Sequence, residues 1–299
     1  YSQIPMNVGS MTNSGLEIDL SYDVFRTKKY SLNVHANTTY ISNKINELHP
    51  DLNGELIEGS YIFKEGFSRY HMYLVKYAGV NQNDGVALYW ALADENGATD
   101  AYGQAVGANE QYVTENGRTA YSTDRQATKN LMPKWYGGFG ISAEAYGFDL
   151  SVEASYQLGG WIYDSGYQDL MSSLNTSSTT GYYAGYNWHV DILDAWTPEN
   201  HNATIPRLNA ADMYTASTSD RWLTRASYLS LNNVTFGYTL PKDLTRKAQI
   251  EKVRFMVAAE NVALLSKRRG LDPRQSFTTS SAARYTPIRT ISGGVSLTF

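Results

Sequence analysis

The sequence predicts an all-β fold, specifically an antiparallel transmembrane β-barrel with long extracellular loops. Apolar and polar residues alternate along many segments, which is the pattern of strands that have one apolar and one polar face. Several of these segments are longer than the roughly five or six residues of an ordinary strand. The connections between these segments alternate between short turns and long polar insertions, an arrangement typical of outer-membrane barrels.

The first two predicted strands form a hairpin near the start of the sequence. One face of "GLEIDLSYDVF" carries the apolar residues Leu16, Ile18, Leu20, Tyr22 and Val24. The polar segment "TKK" then interrupts the alternation, and "YSLNVHANTTYIS" resumes it. We therefore expect two antiparallel strands joined by a short turn.

The clearest alternation lies in "FDLSVEASYQLGG", which follows the glycine-rich strand "KWYGGFGISAEAYG". We expect its apolar set to face lipid, namely Phe148, Leu150, Val152, Ala154, Tyr156 and Leu158. We expect its polar set to face a wet lumen, namely Asp149, Ser151, Glu153, Ser155 and Gln157. Strands long enough to cross a bilayer at a tilt favour the barrel over a soluble sandwich.

Two long polar insertions, 94–130 and 164–224, are predicted to be extracellular loops. Within the second, "NWHVDILDAW" has weakly helical spacing of its apolar residues, which indicates a short helix. This helix could offer a docking or substrate surface, but packing of the loop on itself is the interpretation we favour.

The sequence ends in a strand that stops on an aromatic residue. Apolar or small residues alternate with polar ones through "ISGGVSLTF", and Phe299 is the last residue of the chain. This ending resembles the assembly signal that the barrel-assembly machinery reads in bacterial outer-membrane proteins. An ordinary final strand that happens to stop at phenylalanine is the alternative.

Composition excludes several classes of function. The sequence has no cysteine among its 299 residues, so disulfides and thiolate metal sites are excluded. Its net charge is -4 and its basic residues are scattered, which argues against nucleic acid as a partner. No motif indicates a metal site, a cofactor or a nucleophile, and we expect none of the three. No signal peptide opens the sequence, so we expect it to be a piece of a longer protein.

Several motifs, in this order, are similar to the SusC/RagA group of TonB-dependent outer-membrane transporters. They are "NVGSMTNSGLEIDL" (7–20), "YAGVNQNDGVALY" (77–89), "MPKWYGGFGISAEAYGFDLSVEASYQLGG" (132–160), "LDAWTPENHNATIPRL" (193–208), "ASYLSLNNVTFGYTLPKDL" (226–244) and "AAENVALLSKRRGLDPR" (258–274). The resemblance covers nearly the whole sequence, and six modest motifs in sequence make it specific.

This resemblance implies that residues 1–299 are the carboxyl-terminal portion of a 22-stranded barrel in the bacterial outer membrane, with nine or ten strands in this chain. The plug domain and the TonB-contacting segment of the family are not in this sequence. The implied function is TonB-dependent active import of oligosaccharides, or of peptides. The implied partners are a SusD-like surface lipoprotein that covers the barrel mouth, TonB through the absent amino-terminal part, and the lipid of the outer membrane.

Two alternatives from other classes remain open. A secreted β-sandwich that binds carbohydrate would show the same alternation along its strands. A hydrolase in the barrel wall could use His35, which lies on a predicted polar face beside a strand that carries Asp19 and Asp23. No nucleophile motif accompanies this histidine, so we expect no enzyme.

Aromatic side chains in the long insertions are the candidates for contact with substrate or lid. Tyrosine and tryptophan suit surfaces where an apolar ring meets polar partners, and they stack on sugar rings. The aromatic residues in question are Tyr102, Tyr112, Tyr121, Trp161, Tyr163, Tyr182, Tyr183 and Trp188. Of these we single out Trp161, Tyr163 and Trp188. For any one residue, packing within the loop is the simpler interpretation.

Overall fold

The structure is a computed structural model that describes residues 7–27, 29–172, 187–209, 211–267, 272–274 and 287–299. It contains eighteen β-strands and three short α-helices among these residues. The strands are β1 (Gly9–Arg26), β2 (Tyr30–Leu48), β3 (Glu55–Glu58), β4 (Tyr61–Lys64), β5 (His71–Val75), β6 (Tyr77–Val80), β7 (Ala87–Leu92), β8 (Ala98–Thr99), β9 (Ala105–Val106), β10 (Gln111–Thr114), β11 (Arg125–Asn130), β12 (Pro133–Ala145), β13 (Phe148–Gly159), β14 (Trp161–Tyr163), β15 (Leu223–Arg225), β16 (Tyr228–Thr239), β17 (Lys252–Ser266) and β18 (Thr290–Thr298). The helices are α1 (Gly117–Thr123), α2 (Ser165–Leu170) and α3 (Lys242–Thr245).

Seven strands form one antiparallel sheet, which we call the wall sheet. Their order is β1-β2-β12-β13-β16-β17-β18. The shortest, β18, has 9 residues and the longest, β2, has 19, so each is about long enough to cross a bilayer at a tilt. Within the described residues the sheet has seven strands, so the expectation of nine or ten is wrong, because the short strands β3 to β11 lie outside it.

The two ends of the wall sheet differ in their connections. Residues 27–29, 146–147 and 240–251 join strands at one end, which we call the inner end. At the opposite, outer end the connections span 49–132, 160–227 and 267–289. The expected insertion 94–130 is therefore only the last part of a longer connection, and 164–224 is most of the second.

One face of the wall sheet is apolar and uncovered. Along β13 and its neighbours, Phe148 lies beside Tyr238 and Leu150 beside Phe236, and Phe236 is 49% exposed. The opposite face carries hydrogen-bonded polar side chains. The large apolar side chains of this face are exposed within the described residues, whereas a β-sandwich would bury them against a second sheet, so the β-sandwich alternative is wrong. An exposed apolar face of this extent on a seven-stranded sheet suits contact with lipid.

A bulge changes one predicted face assignment. The pairing of β1 with β2 shifts between Asp23 and Phe25, so that Phe25 rather than Val24 lies opposite Leu32. Residues Leu16 to Tyr22 keep the predicted alternation, with Tyr22 opposite Val34. An extra residue in one strand reverses the faces beyond it, and alternation alone cannot reveal this.

The described residues of the outer connections form a region of small sheets, which we call the outer region. It contains a four-stranded sheet (β11-β5-β4-β3), a three-stranded sheet (β10-β7-β6) and two ribbons (β14-β15 and β8-β9). Its largest buried cluster consists of Val75, Ala87, Tyr89, Ala91 and Ala120. Fully buried apolar side chains give this region its own core, so it is an ordered structure at the outer end of the wall sheet.

The helices of the protein are short. None of the helices among the described residues is both long and apolar enough to cross a membrane. The short helix expected near "NWHVDILDAW" is present as a 3-10 helix, Val190–Asp194. The Nδ1 atom of His189 accepts a hydrogen bond from the backbone N–H of Asp191 and so caps its first turn.

Candidate transport surfaces

A side-chain pair joins two strands of the wall sheet across a glycine on the polar face. The Nε2 atom of His35 on β2 lies 2.9 Å from Oε2 of Glu153 on β13. Between them runs β12, where Gly140 is the register partner of both residues. A Cβ atom at Gly140 would meet the Glu153 carboxylate and the imidazole, so only glycine leaves room for the pair.

A second pair repeats this arrangement two strands away. Arg254 on β17 donates hydrogen bonds from Nε and Nη2 to the two carboxylate oxygens of Asp149 on β13. Gly237 on β16 lies between them, and a Cβ atom there would meet both side chains. A bidentate guanidinium–carboxylate pair is a strong charge-assisted contact with a fixed geometry.

The apolar face has a matching contact. The Tyr156 hydroxyl on β13 donates a 2.6 Å hydrogen bond to Oγ1 of Thr38 on β2, and it does so across Gly137 of β12. The Tyr156 ring also lies 6.4 Å from that of Phe139. The three glycines thus sit where side chains of the two flanking strands reach each other.

The polar face is concave at the inner end of the wall sheet. A space of about 950 Å³ is lined there by residues of both signs, among them Asp23, Arg26, Lys29, Glu144 and Lys252. Such a lining of mixed charge suits the lumen of a barrel, where charged side chains remain in water.

The hydrolase hypothesis placed His35 beside Asp19 or Asp23, but in the structure neither aspartate contacts the imidazole. His35 lies opposite Ser21, while Asp23 accepts a hydrogen bond from Asn33. The partner of the imidazole is Glu153, which comes from the strand on the other side of Gly140. Side-chain reach across a glycine, rather than strand adjacency, decides this contact.

Trp161 and Tyr163 lie on β14 and pack in the outer region. Both side chains lie against the buried cluster of Met72, Leu74 and Leu131. The Tyr163 hydroxyl donates a 2.8 Å hydrogen bond to Oε1 of Gln168. Burial raises the pKa of this phenol above its usual range. The packing interpretation therefore has direct support for these two residues, and their contact with substrate or lid stays a prediction.

Trp188 differs from these two because half of it is open to solvent. Its side chain is 51% exposed, while the indole Nε1 donates a hydrogen bond to the Ser172 carbonyl. The following 3-10 helix exposes Val190 and Leu193, of which Leu193 is 81% exposed. Of the remaining candidate aromatics, Tyr182 and Tyr183 lie outside the described residues.

A short piece of the last outer connection contacts the polar face of the wall sheet. Arg274 makes a bidentate pair with the buried carboxylate of Asp272 and donates from Nη1 to Oγ of Ser230 at 2.8 Å. Ser230 in turn donates to Asn232, and Asn232 bonds Ser155 on β13. Sequence analysis of "LDPR" did not reveal this network, because its partners lie on strands distant in the sequence.

Phe299 follows β18 and is 84% exposed. Its neighbours in the strand keep the predicted alternation, with Leu297 opposite Val253 and Val295 opposite Phe255. The ring at the terminus therefore has little contact with the described part of the sheet, and its role as an assembly signal stays a prediction.

Comparison with known proteins identifies relatives with the same architecture. No family model matches the chain. The chain is 24% identical, over its full length, to TonB-dependent receptor P3 of Formosa agariphila (strain DSM 15362 / KCTC 12365 / LMG 23005 / KMM 3901 / M-2Alg 35-1), of which it covers 30%. It is also 24% identical, over 91% of its length, to TonB-dependent receptor SusC of Bacteroides thetaiotaomicron, of which it covers 25%.

A solved structure of the RagAB peptide transporter matches 98% of the chain, with a TM-score of 0.75 and 25% identity. The chain is similar to SusC/RagA-type TonB-dependent receptors in both sequence and fold. The resemblance predicted from the six motifs is thus confirmed, and so is the fold class. This similarity places the wall sheet in the bacterial outer membrane. The chain spans 25% to 30% of the length of these relatives and of the matched structure.

Proposed function

We propose that this chain is part of a transporter that imports oligosaccharides or peptides across the outer membrane with energy delivered by TonB. The observation that carries the proposal is the match of 98% of the chain to the RagAB peptide transporter at a TM-score of 0.75. The similarity to TonB-dependent receptors over the full length of the chain supports the same class. An exposed apolar face opposite a hydrated polar face is what such a barrel requires.

Residues 1–299 would form the carboxyl-terminal portion of the barrel. Seven wall strands cannot close a barrel of the plugged-transporter size, and β1 and β18 each have an edge with unpaired backbone groups within the described residues. In lipid such edges must be paired. The remaining strands, the plug domain and the TonB-contacting segment would therefore come from the part of the protein outside this chain.

A SusD-like surface lipoprotein is the partner we propose for the outer region. The two-component name of RagAB and the open and closed states described for that complex support an extracellular lid. Trp188 and the 3-10 helix Val190–Asp194 expose apolar side chains to solvent. The position of this helix is held by a hydrogen bond from the Tyr167 hydroxyl, on α2, to the carboxylate of Asp191. This makes Trp188 a better candidate for contact with the lid than Trp161 or Tyr163.

The cargo would be an oligosaccharide or a peptide. The similarity to the RagAB peptide transporter supports a peptide, and the resemblance to the SusC/RagA group implies an oligosaccharide as well. Stacking of aromatic rings would suit sugars, and backbone groups of the outer region would suit peptides.

The test is an uptake assay with the full-length transporter in cells with and without TonB. Fluorescently labelled oligosaccharides and peptides of the same size range are offered, and uptake that disappears without TonB supports the proposal. Uptake that is equal in both strains would contradict it. Trp188→Ala should reduce uptake or lid association at normal barrel levels, whereas Trp161→Ala should mainly lower the amount of folded protein. Tyr146→Ala, an exposed aromatic at the inner end, is the control.

A further inference from the structure

Three neighbouring strands of the wall sheet reach one place on the outer rim, where two basic residues and a tryptophan lie close to their ends. Lys129 lies just before β12, Trp161 just after β13, and Arg225 just before β16. The three wall strands are neighbours in the sheet. The chain is acidic overall, with a net charge of -4, so a basic group at this rim contrasts with the rest of the molecule.

Both cations lie over the same aromatic ring. The Lys129 Nζ atom is 5.3 Å and the Arg225 Cζ atom 4.8 Å from the centre of the Trp161 ring. Trp161 and Arg225 are direct register partners on the β14–β15 ribbon. Because Trp161 is anchored against a buried cluster, the ring gives the two long side chains a fixed support.

Neither cation has an acidic partner within 4 Å among the described residues, and both side chains are solvent-exposed. Asp220, which lies shortly before β15, is an acidic residue that interacts with Lys129. Its Oδ1 atom already accepts a 2.8 Å hydrogen bond from the backbone N–H of Tyr77. Burial raises the pKa of Asp220, and Lys76 and Lys129 only partly oppose this. The rim thus holds two exposed cations that are supported by an aromatic ring and that no acidic side chain of the described residues neutralises at contact distance.

We propose that Lys129, Trp161 and Arg225 form a binding site for a carboxylate group on the imported cargo, an inference that rests on the proposed import function. A guanidinium offers a planar pair of donors that matches a carboxylate, and an ammonium adds a point charge. The Trp161 ring supplies an apolar edge beside them. The carboxylate could belong to an acidic sugar or to a peptide, and both sources share this chemistry.

The test measures binding to the full-length transporter in detergent micelles by isothermal titration calorimetry. Two matched pairs of probes are used: trigalacturonate with its methyl ester, and a glutamate-rich peptide with its glutamine counterpart. We expect the acidic member of one pair to bind about tenfold more tightly or better, as a charge-assisted hydrogen bond would provide. The pair that shows the preference identifies the source of the carboxylate.

Variants connect the preference to the site. Arg225→Gln and Lys129→Gln should each reduce the preference, and Arg225→Lys should retain more of it than Arg225→Gln. Lys247→Gln removes the same charge from an exposed position at the inner end and should change nothing. Heat-modifiability on gels shows whether each variant is folded.

The outcomes separate this site from the import function. Equal affinities within both pairs, or an unchanged preference in the double variant of Lys129 and Arg225, would overturn the carboxylate site. TonB-dependent uptake of the neutral probes would then still support import. Absence of TonB-dependent uptake for every cargo would instead count against the proposed function itself.

Discussion

His35 and Glu153 are joined at 2.9 Å although their strands, β2 and β13, are not hydrogen-bonded to each other. Gly140 of the intervening strand lies between them and makes the contact possible. A pair of side chains thus spans three strands of the wall sheet on its polar face. Similar contacts occur across Gly237 and Gly137, so the arrangement is a recurring feature of the sheet.

We expect Gly140→Ala to destabilise the barrel by roughly 1–3 kcal/mol, the usual range for forcing atoms into a filled space. A Cβ atom there would lie 2.7 Å from the Val152 carbonyl oxygen and would displace the Glu153 carboxylate. Gly293→Ala is the control, since its Cβ atom would lie 3.9 Å from the nearest atom, the Met256 carbonyl oxygen. Urea denaturation of the full-length barrel in lipid vesicles measures the difference, and equal stability of the two variants would contradict the prediction.

Arg254→Ala should cost about 1.5–3 kcal/mol, because it removes hydrogen bonds between charged groups and leaves Asp149 without its partner. The control is Arg26→Ala, which removes a more exposed cation 3.6 Å from Asp23. Exposed pairs of that kind contribute about 0–1 kcal/mol. Urea denaturation of the full-length barrel measures both variants. An equal loss of stability in Arg254→Ala and Arg26→Ala would contradict the prediction.

The two faces of β13 can be tested by cysteine labelling in a protein that has no natural cysteine in this part. Leu150→Cys should react with a lipid-restricted maleimide, and Ser151→Cys with a water-soluble one. The reverse labelling pattern would show that the faces are assigned wrongly.

Phe299 is expected to matter for assembly rather than for the stability of the finished barrel. Phe299→Ser should lower the amount of folded transporter in the outer membrane, while the unfolding midpoint of the remaining protein stays unchanged. Ile288→Ser alters an equally exposed apolar residue, 78% against 84%, away from the terminus. Quantitative blotting of outer membranes would refute a terminal signal if both variants assembled like the wild type.

Asp220 gives the outer region a pH-dependent contribution to stability. Burial raises the pKa of its carboxyl above the ordinary 3.8, so the folded state holds the proton more tightly than the unfolded state does. This contribution is fully present below pH 3.8 and is lost as the pH rises through the higher, folded pKa. Asp220→Asn, which can still accept from the Tyr77 N–H, should remove it. The melting temperatures of wild type and variant are measured between pH 4 and 7. An equal dependence of melting temperature on pH in the two proteins would contradict the prediction.

The sequence predicted the wall strands well because a period of two is a local signal. The alternation of Phe148 to Leu158 and of the final strand holds in the structure. It missed the bulge at Val24, since an extra residue leaves no mark in the composition. The family resemblance implied nine or ten wall strands rather than seven, because the outer connections take up more of the chain than we expected.

The side-chain contacts of the candidate site were largely beyond sequence analysis. The partner of His35 lies 118 residues away and depends on the register of three strands. The burial of Trp161 and Tyr163 depends on how two long connections pack together. Composition could indicate aromatic loops, but it could not separate the anchored rings from the exposed Trp188.

The contacts across glycines link every second strand of the wall. β2 is joined to β13 by His35–Glu153 and by Tyr156–Thr38, and β13 is joined to β17 by Asp149–Arg254. Sliding of β12 by two residues would place Trp135 or Phe139 at the position of Gly137, and the same slide of β16 would place Thr235 or Thr239 at the position of Gly237. A force applied along one strand is therefore distributed over five strands, β2, β12, β13, β16 and β17. The contacts across glycine thus resist sliding of neighbouring strands past one another.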